Sequence, residues 1–141
     1  MRINLVPMGQ LSTVLAEVLP YLKVSEEWTR GRANVDDILR MVLNGQMHLW
    51  CVHDDVGVHG QLITEIKQYP QCKLLTIQYC AMEPGIMDAI EEQMQDIAQR
   101  FAKDAGCSGI EFVGRPGWRR VAGKYGYDVQ SVVYQKFFKE T

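Results

Sequence analysis

Apolar residues recur along this chain in two different periods, and the changes of period mark its elements. Val14, Leu15, Val18, Leu19 and Leu22 fall at helical spacing after Ser12, which reads as an N-cap. Pro20 lies late in that run and is expected to kink or end the helix, since it lacks the N–H that continues the ladder. A polar stretch, Ser25 to Arg32, follows with Trp28 embedded in it. Asn34 or Val35 then opens a second helix. Asp36 and Asp37 occupy its first turn, where negative charge suits the dipole, and Ile38, Met41 and Val42 form its buried face. Asn44-Gly45 stops it.

Elsewhere the period is two, or the apolar run is unbroken. Arg2 to Val6 predicts a short strand ended by Pro7. Met47 to His53, Val58 to Lys67 and Lys73 to Met82 predict three strands joined by the turns Asp54–Gly57 and Gln68–Gln71, an antiparallel meander. Both faces of Lys73 to Met82 are largely apolar, which places that strand centrally. Glu83-Pro84 opens the longest helix, along which Ile90, Met94, Ile97, Phe101 and Ala105 form a stripe, and Gly106 ends it. Gly109 to Val113 is a short strand, parallel by virtue of the helical crossover. Gly114 to Gly117 turns, Trp118 to Tyr125 makes a short helix ended by Gly126, and Val129 to Phe138 alternates as a last strand. The order is β-α-α-β-β-β-α-β-α-β. It predicts one α/β (α+β) domain over 1–141, a mixed, mostly antiparallel sheet with helices on both faces.

Composition narrows the function classes. With 141 residues, 47% apolar and 23% charged, the chain is of ordinary globular balance and long enough for one core. No apolar run approaches the ~20 residues of a membrane span. Met1 to Gly9 lacks the apolar stretch of a signal peptide, so a cytoplasmic location is expected. A net charge of −2 argues against a broad nucleic-acid footprint but leaves room for a local anion site. Cys51, Cys72, Cys80 and Cys107 form no C-x-x-C pair and read as reduced thiols; His48, His53 and His59 show no metal spacing, and no metal is expected.

Three local features carry a resemblance. Met82-Glu83-Pro84 ends the fourth strand, a long amphipathic helix follows at once, and Gly126-Tyr127 closes a short helix before the last predicted strand. With the order of elements, these resemble the GNAT family of acetyl-CoA-dependent N-acetyltransferases over nearly the whole chain. The turn Gly114-Arg115-Pro116-Gly117-Trp118 is similar to one in small phage-encoded members such as internal virion proteins, which would add phage structural proteins as partners and virion association as a location. The resemblance implies fourth and fifth strands that splay apart. Acetyl-CoA would lie between them, its pantetheine arm along Tyr79, Cys80, Ala81 and Met82. Its pyrophosphate would rest on the turn Glu83 to Asp88, including Gly85, at the start of the long helix. A carboxylate would take the proton of an amine acceptor and a Tyr would protonate the departing thiolate.

The residues depart from that pattern in two places. The glycines that let a backbone close around two phosphates would fall near Asp88, Ile90 and Glu92, and the preceding Arg/Gln position falls on Met87. Between Glu83 and Asp96 stand five carboxylates and no Lys or Arg. The Tyr position, four before Gly126, is Ala122; Tyr125 serves only if the helix is wound differently, and Tyr127 reads as core. A basic cluster, Arg115, Arg119, Arg120 and Lys124, offers either a substitute phosphate site or a solvated face. Glu65 is a candidate base or a solvent-facing carboxylate, and Gln78 can orient water or substrate but take no proton. Tyr21, Trp28 and Arg32 line an acceptor pocket or anchor a partner protein. Two functions follow as expectations: an N-acyltransferase acting on a small amine or a protein, and a non-catalytic virion component or protein-binding module that keeps the fold.

Overall fold

The computed structural model describes residues 1–139. Five strands form one sheet in the order β1-β2-β3-β4-β5: β1 Arg2–Leu5, β2 His48–His53, β3 Val58–Gln68, β4 Lys73–Met82 and β5 Gly109–Phe112. The first four pair antiparallel and β5 joins β4 in parallel, the mixed sheet that the sequence predicts. Helices α1 (Leu11–Trp28) and α2 (Val35–Leu43) cover one face; α3 (Ile86–Asp104) covers the other, and α4 (Arg119–Lys124) follows β5 after a 3-10 turn, Pro116–Trp118.

Each face carries its own core. Val18 and Leu22 of α1 and Ile38 and Val42 of α2 pack on Leu49, Cys51 and Ile63. Ile90 and Met94 of α3 pack on Trp50, Val52, Leu62 and Ile77. The strand β2 supplies both, because its successive side chains alternate between two covered faces. Asn34 caps α2 reciprocally: its Oδ1 accepts from the Asp37 N–H (2.8 Å) and Asp37 Oδ2 accepts from the Asn34 N–H (3.0 Å).

Three expectations are corrected. Helix α1 starts at Leu11 rather than being capped by Ser12, and it runs through Pro20 to Trp28, absorbing the first half of the polar stretch. Proline inside a helix costs ~3 kcal/mol. Val18 and Leu22, on either side of it, are fully buried, and each returns about 1.5–3 kcal/mol. Pro20 itself faces solvent. The last strand, Val129 to Phe138, does not form. From Asp128 to Lys139 the chain is exposed, with no regular structure. Alternation supplies a strand with a face but not with a partner. Here Val133 and Gln135 line a cavity instead.

Candidate functional site

The cavity opens where β4 and β5 part. Their ladder runs from Leu74–Gly109 to Ile77–Phe112 and stops there, while β4 continues to Met82. At the same point β4 carries a bulge: Ile63 faces Tyr79 and Thr64 faces Ile77, leaving Gln78 as the extra residue. The opening is a cavity of about 580 Å³. Ile77, Met94, Phe112, Trp118 and Val121 give it apolar walls. Gln78 lines it too, and its Oε1 is buried with no hydrogen-bond partner. A buried carbonyl oxygen left unpaired costs about 1–3 kcal/mol.

Two phenols also line the cleft. Tyr127 donates its hydroxyl proton to Gln95 Oε1 (2.7 Å) and sets its ring edge-on to Phe112, 5.0 Å between centroids. Burial raises the pKa of both Tyr127 and Tyr79, so each keeps its proton at neutral pH. Tyr127 reaches the cleft because Gly126, at φ +82°, ends α4 in a left-handed turn. The Gly126 N–H donates to Gly123 O and the Tyr127 N–H to Ala122 O, a Schellman pair. The Cys80 thiol lines the same wall, pushed up to about 12 chiefly by burial, and is therefore no nucleophile at rest.

The mouth is basic. Arg30, Arg32 and Arg115 line it, and no carboxylate or imidazole does among the described residues. Arg30 and Arg32 belong to a short loop between α1 and α2 that is tied by its own side chains. The buried Thr29 donates its hydroxyl to Glu26 O (2.8 Å) and accepts from the Ala33 N–H (3.2 Å). Arg32 Nη1 donates to Thr29 O (3.0 Å). The Arg115 guanidinium lies over the Trp28 ring, 3.6 Å from its centroid.

Of the candidates read from the sequence, Gln78, Tyr79, Cys80 and Arg115 meet in this cleft, with Trp28 and Arg32 at its rim. Ala81 is buried in the sheet, Met82 packs in the α3-side core, and Gly85 is the N-cap of α3; none of the three lines the cavity. Arg119 and Arg120 are exposed on α4 outside the lining. Glu65 pairs across to Thr76, beyond the bulge, and does not reach the cleft. Tyr125 stands near Glu91 of α3, which Lys124 pairs with, also outside the lining. Glu111, also outside the lining, accepts from the Thr76 hydroxyl (2.8 Å) and the Tyr69 hydroxyl. Tyr127, read from the sequence as core, instead lines the cleft, half-buried. Arg30 and Gln95 were not singled out from the sequence.

The turn into α3 holds a second polar cluster. Glu83 accepts from the Tyr21 hydroxyl (2.9 Å) on Oε1, and its Oε2 lies 3.0 Å from His59 Nδ1. His59 Nε2 lies 2.8 Å from Asp54 Oδ1. Hydrogen bonds from its ring to the Asp54 and Glu83 carboxylates raise the His59 pKa, and His59 in turn holds Asp54 down to about 2. Glu83, one of the five carboxylates of this segment, is thus drawn aside and its charge offset when the imidazole is protonated.

No protein-family model and no curated protein matches the chain. Solved structures do. A crystal structure of a probable acetyltransferase superposes with TM-score 0.72 at 11% identity, covering 100% of both chains. A predicted acetyltransferase from Clostridium acetobutylicum, solved with acetyl-CoA, gives 0.69 at 16% identity over 96% of this chain and 95% of that one. Glucosamine-6-phosphate N-acetyltransferase from Arabidopsis thaliana gives 0.68 at 12% identity over 98% of each. At such identities the likeness is one of fold: the chain has the GNAT acetyltransferase fold.

Proposed function

We propose that this chain is an acyl-CoA-dependent N-acyltransferase, with the acyl-pantetheine arm held in the cleft between β4 and β5. The observation that carries the reading is the parting of β4 from β5 beside the Gln78 bulge, which opens a largely apolar cavity lined by Gln78, Tyr79 and Tyr127. That lining fits a ligand that is apolar along most of its length and bears amide N–H groups. Acetyl-CoA, when bound, supplies an activated thioester. Gln78 then accepts an N–H and fixes the depth of the arm. Tyr79 and Tyr127 are the protonated groups at the cleft. Because no carboxylate or imidazole lines it among the described residues, a proton leaving an acceptor amine passes to water at the open mouth. For a diphosphate, the amides at the start of α3 are available, while Asp88 in the first turn opposes it.

Calorimetry with acetyl-CoA, followed by thiol release in the presence of amines, tests the reading. Binding with one-to-one stoichiometry and amine-dependent release of free thiol are expected. No heat and no rise in melting temperature at millimolar acetyl-CoA would overturn it.

A second reading keeps the fold without transfer, as a phage virion component or a protein-binding module in the host cytoplasm. Its support is the missing glycine turn and the absence of a side-chain base from the described lining. The Gly114–Trp118 turn is all that favours a phage origin. Co-purification with phage particles, with no affinity for acetyl-CoA, is its test.

A further inference from the structure

We infer that the rim formed by Arg30, Arg32 and Arg115 is a binding site for an anionic group, a phosphate or a carboxylate, carried by the acceptor amine. The assignment of that anion to the acceptor rests on the transferase reading; the anion site itself does not.

Three observations carry it. First, three guanidinium groups from two separate segments converge on one cavity mouth, and none of them is ion-paired among the described residues. The carboxylates nearest in sequence do not answer them. Glu26 Oε1 accepts from the Val35 N–H (3.0 Å), and Glu26 and Glu27 line a separate depression with Lys23. Second, the loop is built before any ligand arrives. Thr29 latches both ends of it, Arg32 is tethered to Thr29 O, and Trp28 stacks beneath Arg115. A preorganised guanidinium loses less freedom when it takes a phosphate or carboxylate in a forked pair. Third, Arg30 is the one non-glycine residue with positive φ among those described, at +55°. A side chain held in the left-handed region is strained, and Gly31 beside it shows that the loop accepts glycine. An arginine standing where glycine would be easier points to its charge.

Gln78 and this rim line one and the same cavity. An amine whose anion rests on the rim directs its nitrogen inward. The site therefore selects small anionic amines over neutral or polycationic ones.

The test is calorimetric titration of the full chain with inorganic phosphate, O-phosphoethanolamine and ethanolamine, with and without saturating acetyl-CoA. O-Phosphoethanolamine is expected to bind at least a hundredfold more tightly than ethanolamine, and to do so equally well beside acetyl-CoA. Arg32→Ala and Arg30→Gly should each weaken it roughly ten- to a hundredfold, the loss expected for a charged hydrogen bond. Arg30→Gly separates this from misfolding, since relief of the strained φ should leave the melting temperature unchanged or higher. Absence of phosphate binding overturns the proposal. So does displacement of O-phosphoethanolamine by acetyl-CoA, which would give the arginines to the coenzyme's own phosphates. Failure of acetyl-CoA to bind overturns the transferase reading alone, and the phosphate titration still decides the anion site.

Discussion

Arg115 lies over Trp28 with 3.6 Å between guanidinium carbon and ring centroid, joining the turn after β5 to the end of α1. Both residues line the cleft. Both side chains are exposed, which places the cation–π energy at about 0.5–1 kcal/mol. A double-mutant cycle with Trp28→Ala and Arg115→Ala in urea should return a coupling of that size. Additive single effects would mean that the stack contributes nothing.

His59 bridges two carboxylates, and its raised pKa gives stability a definite sign with pH. The contribution is complete below the ordinary histidine value of 6.5 and is lost as pH rises through the higher, folded-state value. Asp54, held at about 2, acts at the other end: its contribution is present above the ordinary 3.8 and is lost as pH falls toward 2. The melting temperature should therefore be greatest between roughly pH 4 and 6.5 and decline above it. His59→Gln should flatten the alkaline decline. An unchanged profile in that variant would show that the bridge does not link protonation to folding.

Gly60 of β3 pairs with Met82, at the end of β4 that β5 does not reach. A Cβ there would meet Met82 Cγ at 2.6 Å and Ala81 O at 2.8 Å. The second contact is main chain, so relief requires the strands to separate. Gly60→Ala should destabilise by about 1–3 kcal/mol in chemical denaturation, the usual cost of overpacking. It should also disturb the cleft wall at Cys80, which is paired with Leu62 nearby.

What the sequence made legible were the features that depend on local pattern. The apolar stripes of α1, α2 and α3 and the β2–β4 meander came from periodicity, and the Asn34–Asp37 box lies at the boundary that the first-turn acids marked. The parted strands were accessible only through resemblance, because no side chain announces where a ladder stops. What stayed hidden depended on one-residue geometry. Tyr125 and Tyr127 are two steps apart, and the left-handed Gly126 between them decides which phenol meets the cleft. Arg30 carries no mark in the sequence of its strained φ. Val129 to Phe138 has a strand's alternation, yet pairing is a long-range property that alternation cannot supply.

That last segment leads to a proteolytic prediction. Tyr134, Phe137 and Phe138 are exposed, and the chain from Asp128 to Lys139 makes no main-chain hydrogen bond among the described residues. Unpaired, solvent-facing backbone is where proteases cut first. Brief chymotrypsin treatment should cleave after these aromatics and leave a stable fragment ending near Tyr134, read by intact mass. Protection of all three sites would mean that the segment is covered in solution.

Gln78 offers the sharpest separation of stability from function. Its Oε1 is buried without a partner, so the folded chain bears a desolvation cost. Gln78→Leu keeps the volume and removes the orphan oxygen. Stability should rise, by about 1 kcal/mol, since trading an unsatisfied polar group for an apolar one of similar shape is neutral or favourable. Affinity for acetyl-CoA should fall roughly tenfold with the lost N–H acceptor. The two effects have opposite signs, and a general disturbance of β4 would give neither the gain nor the selectivity. A variant that is less stable and binds acetyl-CoA as before would place the oxygen in a structural role and remove it from the cleft chemistry.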